Sequence, residues 1–221
     1  MPEPRTIDLR KASLIEFRSF FFSADCREIS RASSWTKDPC PILLYSPAHH
    51  ALRFTELFKT SAELHDQWDD QTLENGFWEM FGPTLDGNLR QLIWDTPISL
   101  QEKDTLIRSM YFIYRDFFAL NPLSFSCEMW WDALAYAFNP LRSANPDGNP
   151  EHKAIQQAMF ETLCAILEID SYECQMAALH GLNHVAHPET EKAIQAYLKR
   201  HPNLDPGSTE YALTCAKGEA S

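Results

Sequence analysis

The stretch 171–211 constrains the fold of this chain most strongly. Apolar side chains recur at helical spacing over about residues 172–185, and again over about residues 189–200. Between the two runs stands Pro188, which disfavours helical backbone at His187 and is itself suited to the first turn of a helix. The pattern therefore predicts a helix, a tight turn that His187 caps, a second helix that Pro188 opens, a loop, and the start of a third helix.

The first of these helices is predicted to pack through one face. At about 100° per residue, a broad face carries the small apolar residues Cys174, Ala177, Ala178, Gly181, Leu182 and Val185. The opposite side carries Met176, His180, Asn183 and His184. Gly181 costs about 1 kcal/mol of helix propensity relative to alanine, and the usual compensation is close approach of a neighbouring helix. We therefore expect tight packing at Gly181.

Residues 174–184, read as CQMAALHGLNH, resemble a terminal unit of HEAT-like (armadillo-type) helical repeats. They look most like a segment found in uncharacterised bacterial all-helical proteins. The resemblance covers about forty residues, the length of one such helical repeat, and residues 1–170 show no regular repeat period. It implies an α-solenoid, and HEAT-like units in general imply a protein-binding surface. It carries over no catalytic residues.

Similar helical patterns, separated by prolines, fill much of the remaining chain. They predict helices at about residues 9–24, 47–58, 88–94, 99–119, 126–138, 150–168 and 205–217. The run 42–45 is suited to an extended strand, but a single such run makes no sheet. The loop 141–149 contains the turn signature Asn-Pro-Asp-Gly, and we expect a hinge there.

The fold class that follows is all-α. We predict an α-solenoid, a HEAT-like superhelical array of about eight to ten helices. The prediction is a single all-helical domain over residues 1–221, in which residues 150–221 form the HEAT-like C-terminal block.

The charge of the chain excludes several classes of partner. The formal net charge is −12, which repels phosphate backbones and anionic lipid surfaces, so we expect neither nucleic-acid nor membrane binding. A membrane span needs about 18–20 apolar residues in a row, and the chain has no such run. No glycine-rich phosphate-binding motif is present, and no cofactor is predicted. The six cysteines form no CxxC pair, which suits a reducing, cytoplasmic location.

The stretch 61–86 is acidic and contains no lysine or arginine. Its carboxylates alternate with aromatic side chains, and Asp69 and Asp70 stand at the centre of the run. One interpretation is a hydrated outer face over an aromatic core. The other is a docking surface in which Asp69 and Asp70 engage a basic segment of a protein partner.

His180 and His184 lie four residues apart, the spacing by which two imidazoles on one helix face bind one metal ion. Glu173 falls at a similar helical angle but about 10 Å along the axis, too far to share that ion. A third ligand therefore has to come from elsewhere in the chain. We consider for that role His187, His152 and Glu168. The alternative interpretation is that both histidines pack against a neighbouring helix or bind a partner's side chain.

Two functions remain open from the sequence. The leading hypothesis is a non-enzymatic protein-interaction module with an acidic surface, because no nucleophile motif or isolated carboxylate pair indicates an enzyme. The alternative is a metal-dependent enzyme that uses His180 and His184. The candidate binding residues are Glu173, His180, His184, His187, Asp69 and Asp70.

Overall fold

Helices make up nearly all of the regular structure in the computed structural model, which describes residues 5–32, 41–82, 85–135 and 149–220. The all-α prediction is confirmed at this level. The described residues form eleven α-helices, one more than the upper end of the expected range: α1 (Leu14–Phe21), α2 (Ala24–Ala32), α3 (Pro47–Lys59), α4 (Asp70–Glu79), α5 (Leu89–Trp94), α6 (Leu100–Ile113), α7 (Ser126–Ala135), α8 (Pro150–Ile166), α9 (Tyr172–Val185), α10 (Thr190–Arg200) and α11 (Pro206–Lys217). A 3₁₀ turn (Ser61–Leu64) and a π-helical turn (Tyr114–Phe118) complete them.

The chain divides into two compact units, residues 1–109 and 110–221, and the division falls within α6. Most of the expected hinge, residues 141–148, lies outside the described residues. Among the residues that are described, no helix is both long enough and apolar enough to cross a membrane.

The first unit contains a two-stranded parallel sheet, which corrects the expectation that the run 42–45 has no partner. Strand β1 (Thr6–Asp8) pairs with strand β2 (Ile42–Leu44), with Ile7 opposite Leu43. The pairing continues at Leu9, whose amide donates to the Leu44 carbonyl at 2.8 Å. Three residues are too few to show an alternating pattern in the sequence, so β1 was not recognisable.

The first predicted helix, 9–24, corresponds to α1, which is shorter at both ends, and α2 was not predicted. α1 begins at Leu14 because Ser13 forms a capping box with Glu16. Its aromatic residues face the core, and Phe17 and Phe21 have no exposed surface. Their rings lie 4.9 and 5.0 Å from that of Phe54 on α3.

In the second unit, α9 is the central helix and packs against α7, α8 and α11. Every residue from Ala177 to Val185 is buried. The prediction of one packing face and one opposite polar side is therefore wrong. His180, Asn183 and His184 face neighbouring helices because α9 is covered on all sides, which amphipathic spacing alone does not reveal.

The tight packing expected at Gly181 is confirmed. A Cβ atom at this position would lie 2.6 Å from Leu163 Cδ2 on α8 and 2.8 Å from Trp131 Cγ on α7. Side chains essentially never approach so closely, so the missing side chain lets both neighbouring helices approach α9.

The turn after α9 differs from the prediction. Ala186 adopts the left-handed conformation with φ of 49° and closes α9. α10 begins at Thr190 rather than at Pro188, because the Thr190 amide donates to the His187 carbonyl at 2.9 Å and forms a separate turn. The start of α11 is as predicted, since the Asp205 carboxylate accepts from the Ser208 amide at 3.0 Å.

Candidate metal centre

Three side chains from two helices converge inside the second unit. Asp132 lies on α7, and His180 and His184 lie on α9. The Asp132 Oδ1 atom is 2.7 Å from His180 Nε2 and 3.0 Å from His184 Nε2. The two Nε2 atoms are 3.1 Å apart. The three atoms thus form a nearly equilateral triangle of oxygen and nitrogen donors.

The local sequence explains why these atoms meet. Residues four apart on a helix lie on the same face, so His180 and His184 project together from α9. Gly181, next to His180, contacts the side chain of Trp131 on α7. Asp132 is the next residue after Trp131, so this close packing carries its carboxylate to the two imidazoles.

The cluster is buried and charged. His180 and His184 are 5% and 4% exposed, while the Asp132 side chain is 21% exposed. Burial opposes ionisation of Asp132, but the two adjacent imidazoles outweigh this effect and lower the pKa of its carboxyl below the ordinary value. The centre therefore presents an anionic oxygen and two imidazole nitrogens at neutral pH.

The three groups are also close enough to interact with one another. Each imidazole Nε2 lies within ion-pair distance of Asp132 Oδ1, and the two Nε2 atoms lie within hydrogen-bond distance of each other. The alignment of these contacts leaves Asp132 Oδ1, although buried, without a well-directed hydrogen bond. Buried carboxylate oxygens are normally hydrogen-bonded, because leaving them unsatisfied costs about 1–3 kcal/mol or more.

The other nitrogen of His180 is held from a third helix. His180 Nδ1 lies 2.9 Å from the Tyr211 hydroxyl on α11. Asn183, on the next turn of α9, exchanges two hydrogen bonds with the backbone of Ala220, of 2.9 and 3.2 Å. Contacts to α9 therefore hold α11 and the residues after it beside the cluster.

The other histidine and carboxylates considered near this site lie elsewhere. His187 Nε2 is 3.0 Å from Gln157 Oε1, and its ring stacks on Phe160. Glu168 pairs with Arg200, and Glu173 is exposed beside Ser171. His152 is in the first turn of α8 and is also outside the cluster. The residues considered as a third ligand, His187, His152 and Glu168, therefore lie away from His180 and His184. The side chain that meets the two histidines is Asp132.

The acidic stretch has more internal partners than its sequence suggests. Glu63 accepts a hydrogen bond of 2.7 Å from Arg18, which comes from α1 and is buried. Asp69 caps α4 by accepting from the Thr72 amide at 2.7 Å, and this hydrogen bond lowers the pKa of its carboxyl. Asp70, in the first turn of the same helix, is exposed.

Sequence reasoning missed Asp132 and Tyr211. The signal for Asp132 was a carboxylate directly after Trp130 and Trp131 in a helix rich in large apolar residues, where an ionised group needs a partner. Tyr211 is 31 residues from His180 and carries no comparable signal.

Comparisons of the whole chain with protein-family models, with curated proteins and with solved structures find no match.

Proposed function

We propose that this protein binds a divalent first-row transition-metal ion through Asp132 Oδ1, His180 Nε2 and His184 Nε2. The observation that carries the proposal is the convergence of these atoms at 2.7, 3.0 and 3.1 Å from one another. Two imidazoles and one carboxylate form a donor set typical of iron and zinc sites.

The size of the triangle fits such an ion. With metal–ligand bonds of about 2.0–2.1 Å, neighbouring ligands lie about 2.9 Å apart around an octahedral ion and about 3.3 Å apart around a tetrahedral one. The observed edges match the octahedral value, and a shift of a few tenths of an ångström would match the tetrahedral value. The anionic Asp132 also offsets part of the charge of a divalent ion in a buried setting.

The number of ligands favours a site of the catalytic type. Structural zinc sites are closed by four protein ligands, whereas catalytic sites keep a position for water or substrate. Three protein ligands are brought together here among the described residues. A metal-dependent reaction at the open position is therefore the second part of the proposal.

The first experiment is elemental analysis of protein purified without a polyhistidine tag. We expect about one iron or zinc ion per chain in the wild type, as the three-ligand site requires. His180→Ala, His184→Ala and Asp132→Asn should each lose the ion. His187→Ala is the matched control, because His187 lies on the turn after α9 and outside the cluster.

Two results would overturn this proposal. One is wild-type protein that takes up no iron, zinc, manganese or cobalt even when each is supplied in excess. The other is full metal content in Asp132→Asn, which would place the ion at some other group.

An acidic interaction surface on the first unit is a second candidate function. It is supported by Asp66 and Asp70, which are exposed, and by Trp78, which is 43% exposed. Tryptophan is enriched at protein interfaces, and the exposed carboxylates of the same stretch would steer a basic partner segment. The HEAT-like resemblance of residues 174–184 supports an interaction role by analogy, and the five free cysteines of the described residues suit a cytoplasmic location.

This second candidate is tested with the double variant Asp66→Lys/Asp70→Lys. Asp69 is left intact because it caps α4. A partner that is captured by wild-type protein, is released by salt, and is lost from the variant would support the candidate. Unchanged capture by the variant would contradict it.

A further inference from the structure

The Tyr211 hydroxyl is the polar group that faces the outer nitrogen of His180. The distance from Tyr211 Oη to His180 Nδ1 is 2.9 Å. Tyr211 belongs to α11, whereas the ligand that it contacts belongs to α9. We infer that Tyr211 is a positioning residue that holds His180 in the tautomer which binds metal through Nε2. This inference rests on the proposed metal site.

The chemistry of imidazole explains why this contact matters. A neutral imidazole carries one proton, and the nitrogen that binds a metal uses its lone pair. Coordination through Nε2 therefore places the proton of His180 on Nδ1. There it donates to the Tyr211 oxygen, which fixes the ring orientation and increases the basicity of the coordinating nitrogen.

Burial makes the tyrosine necessary at this position. His180 is 5% exposed, so water offers little replacement for a lost partner. Removing the hydroxyl would leave the Nδ1 proton buried without its acceptor, and the positive charge of a bound ion makes that proton a stronger donor. The missing hydrogen bond therefore costs more free energy in the metal-bound state than in the metal-free state. This difference appears as weaker metal binding.

The tyrosine is a neutral partner for His180. A tyrosine hydroxyl ordinarily keeps its proton well above neutral pH. The hydroxyl is therefore neutral at physiological pH. Its oxygen accepts a hydrogen bond without adding a second anion to the centre.

The chain contains a closely matched control. Tyr172 on α9 also uses its hydroxyl to reach α11, with its oxygen 2.9 Å from Ser208 Oγ. This contact joins the same two helices at the same distance, but it touches no metal ligand. Tyr172→Phe and Tyr211→Phe therefore remove the same chemical group from the same helix pair, and only one of them affects His180.

The experiment measures Zn²⁺ affinity of the wild type and both variants by competition with a chelator. Changes in groups that hydrogen-bond to metal ligands typically weaken binding by about 10–100-fold, and we expect this loss in Tyr211→Phe. Tyr172→Phe should bind Zn²⁺ within about twofold of the wild type, even if thermal unfolding shows that both variants lose similar stability.

A second readout follows the proton directly. In ¹⁵N-histidine-labelled protein loaded with Zn²⁺, His180 should show a protonated Nδ1 that exchanges slowly with water. In Tyr211→Phe this proton should exchange faster, while in Tyr172→Phe it should behave as in the wild type. A structural role for Tyr211 alone would not change proton exchange at His180 selectively.

The outcomes separate the inference from the metal proposal. If wild-type protein binds no Zn²⁺ or other supplied metal, the metal site itself is wrong and the inference falls with it. If the wild type binds Zn²⁺ and the two tyrosine variants bind equally well, the metal site stands and the role of Tyr211 is refuted. A protonated Nε2 in the Zn²⁺ form would also refute it.

Discussion

At the scale of single residues, His50 is a histidine whose role differs from that of His180 and His184, the proposed metal ligands. It lies on α3 with no exposed surface, edge-on to the ring of Phe17 at 5.1 Å. Its Nδ1 lies 3.4 Å from the Gly87 carbonyl, to which it donates, whereas Nε2 is buried and makes no hydrogen bond. Burial, with a smaller contribution from the neighbouring His49, outweighs the hydrogen bond to Gly87 and lowers the pKa of His50 from 6.5 to about 4.

We predict that His50 makes folding of the first unit sensitive to acid. The unfolded chain takes up this proton near pH 6.5, whereas the folded chain takes it up near pH 4. The contribution of neutral His50 is therefore fully present above pH 6.5 and is lost as the pH falls towards 4. Between pH 7 and pH 5 the loss in unfolding free energy should be about 2 kcal/mol.

The measurement is urea unfolding of the wild type and of His50→Leu at pH 7 and pH 5. The leucine variant should lose about 2 kcal/mol less than the wild type over this interval, whatever its stability at pH 7. His49→Gln, a change at the neighbouring position, should keep most of the acid sensitivity of the wild type, because His49 makes the smallest contribution to the pKa of His50. If His50→Leu and the wild type lost the same unfolding free energy between pH 7 and pH 5, His50 would not be the cause of the acid sensitivity.

At the scale of helices, the distance between α7 and α9 decides whether the proposed metal ligands meet. Gly181 faces the Cβ and Cγ atoms of Trp131, and Trp131 has no exposed surface. These atoms are close to the backbone and do not move aside without a shift of α7. The glycine thus sets the helix spacing that places Asp132 beside His180 and His184.

We predict that Gly181→Ala is destabilising although alanine is the better helix former. The gain in helix propensity is about 1 kcal/mol, whereas forcing an extra methyl group into a packed core typically costs about 1–3 kcal/mol. The short contacts at Gly181 place the cost at the upper end, so a net loss of about 1–2 kcal/mol is expected. Zn²⁺ affinity should also fall, because α7 moves away from α9.

Gly207 provides the control for this substitution. It lies in the first turn of α11, is exposed, and would bring a Cβ atom to 3.3 Å from only the Asp205 carboxylate. Thermal unfolding and chelator competition should show Gly207→Ala to be nearly neutral for stability and for Zn²⁺ binding. If Gly181→Ala were as stable as the wild type, helix spacing would not be controlled at this residue.

The sequence predicted most helices because local signals define them. Ser99 and Glu102 form a capping box and Asp205 forms a cap, and both helices start beside them. The sheet was not predictable, since Thr6–Asp8 pairs with a strand more than thirty residues away. Such non-local pairing leaves no periodic pattern in a three-residue strand.

The candidate site was predictable only in part, for a related reason. The His180–His184 spacing is local to one helix and indicated a metal ligand pair directly. Asp132 and Tyr211 come from other helices, and their proximity depends on how α7 and α11 pack around α9. No local pattern reports that packing, except at Gly181, where a small residue in a helix indicated close approach.

At the scale of the whole molecule, the proposed ion links parts of the chain that are distant in sequence. Its ligands extend from residue 132 to residue 184, and Tyr211 adds α11 to the same network. All of these residues belong to the second unit, 110–221. A ligand that binds only the folded state stabilises it, by about 2.7 kcal/mol at a free concentration 100 times the Kd.

We therefore predict that Zn²⁺ protects the second unit against local unfolding and leaves the first unit unchanged. Amide hydrogen exchange should slow in α7, α9 and α11 when Zn²⁺ is added, because opening of these helices separates the ligands. Exchange in α1, α3 and α4 should not respond, since they contribute no ligand. Asp132→Asn should abolish the protection, whereas Asp104→Asn, an exposed change on α6, should not. Uniform protection of both units, or protection that persists in Asp132→Asn, would place the ion outside this centre and contradict its assignment to α7 and α9.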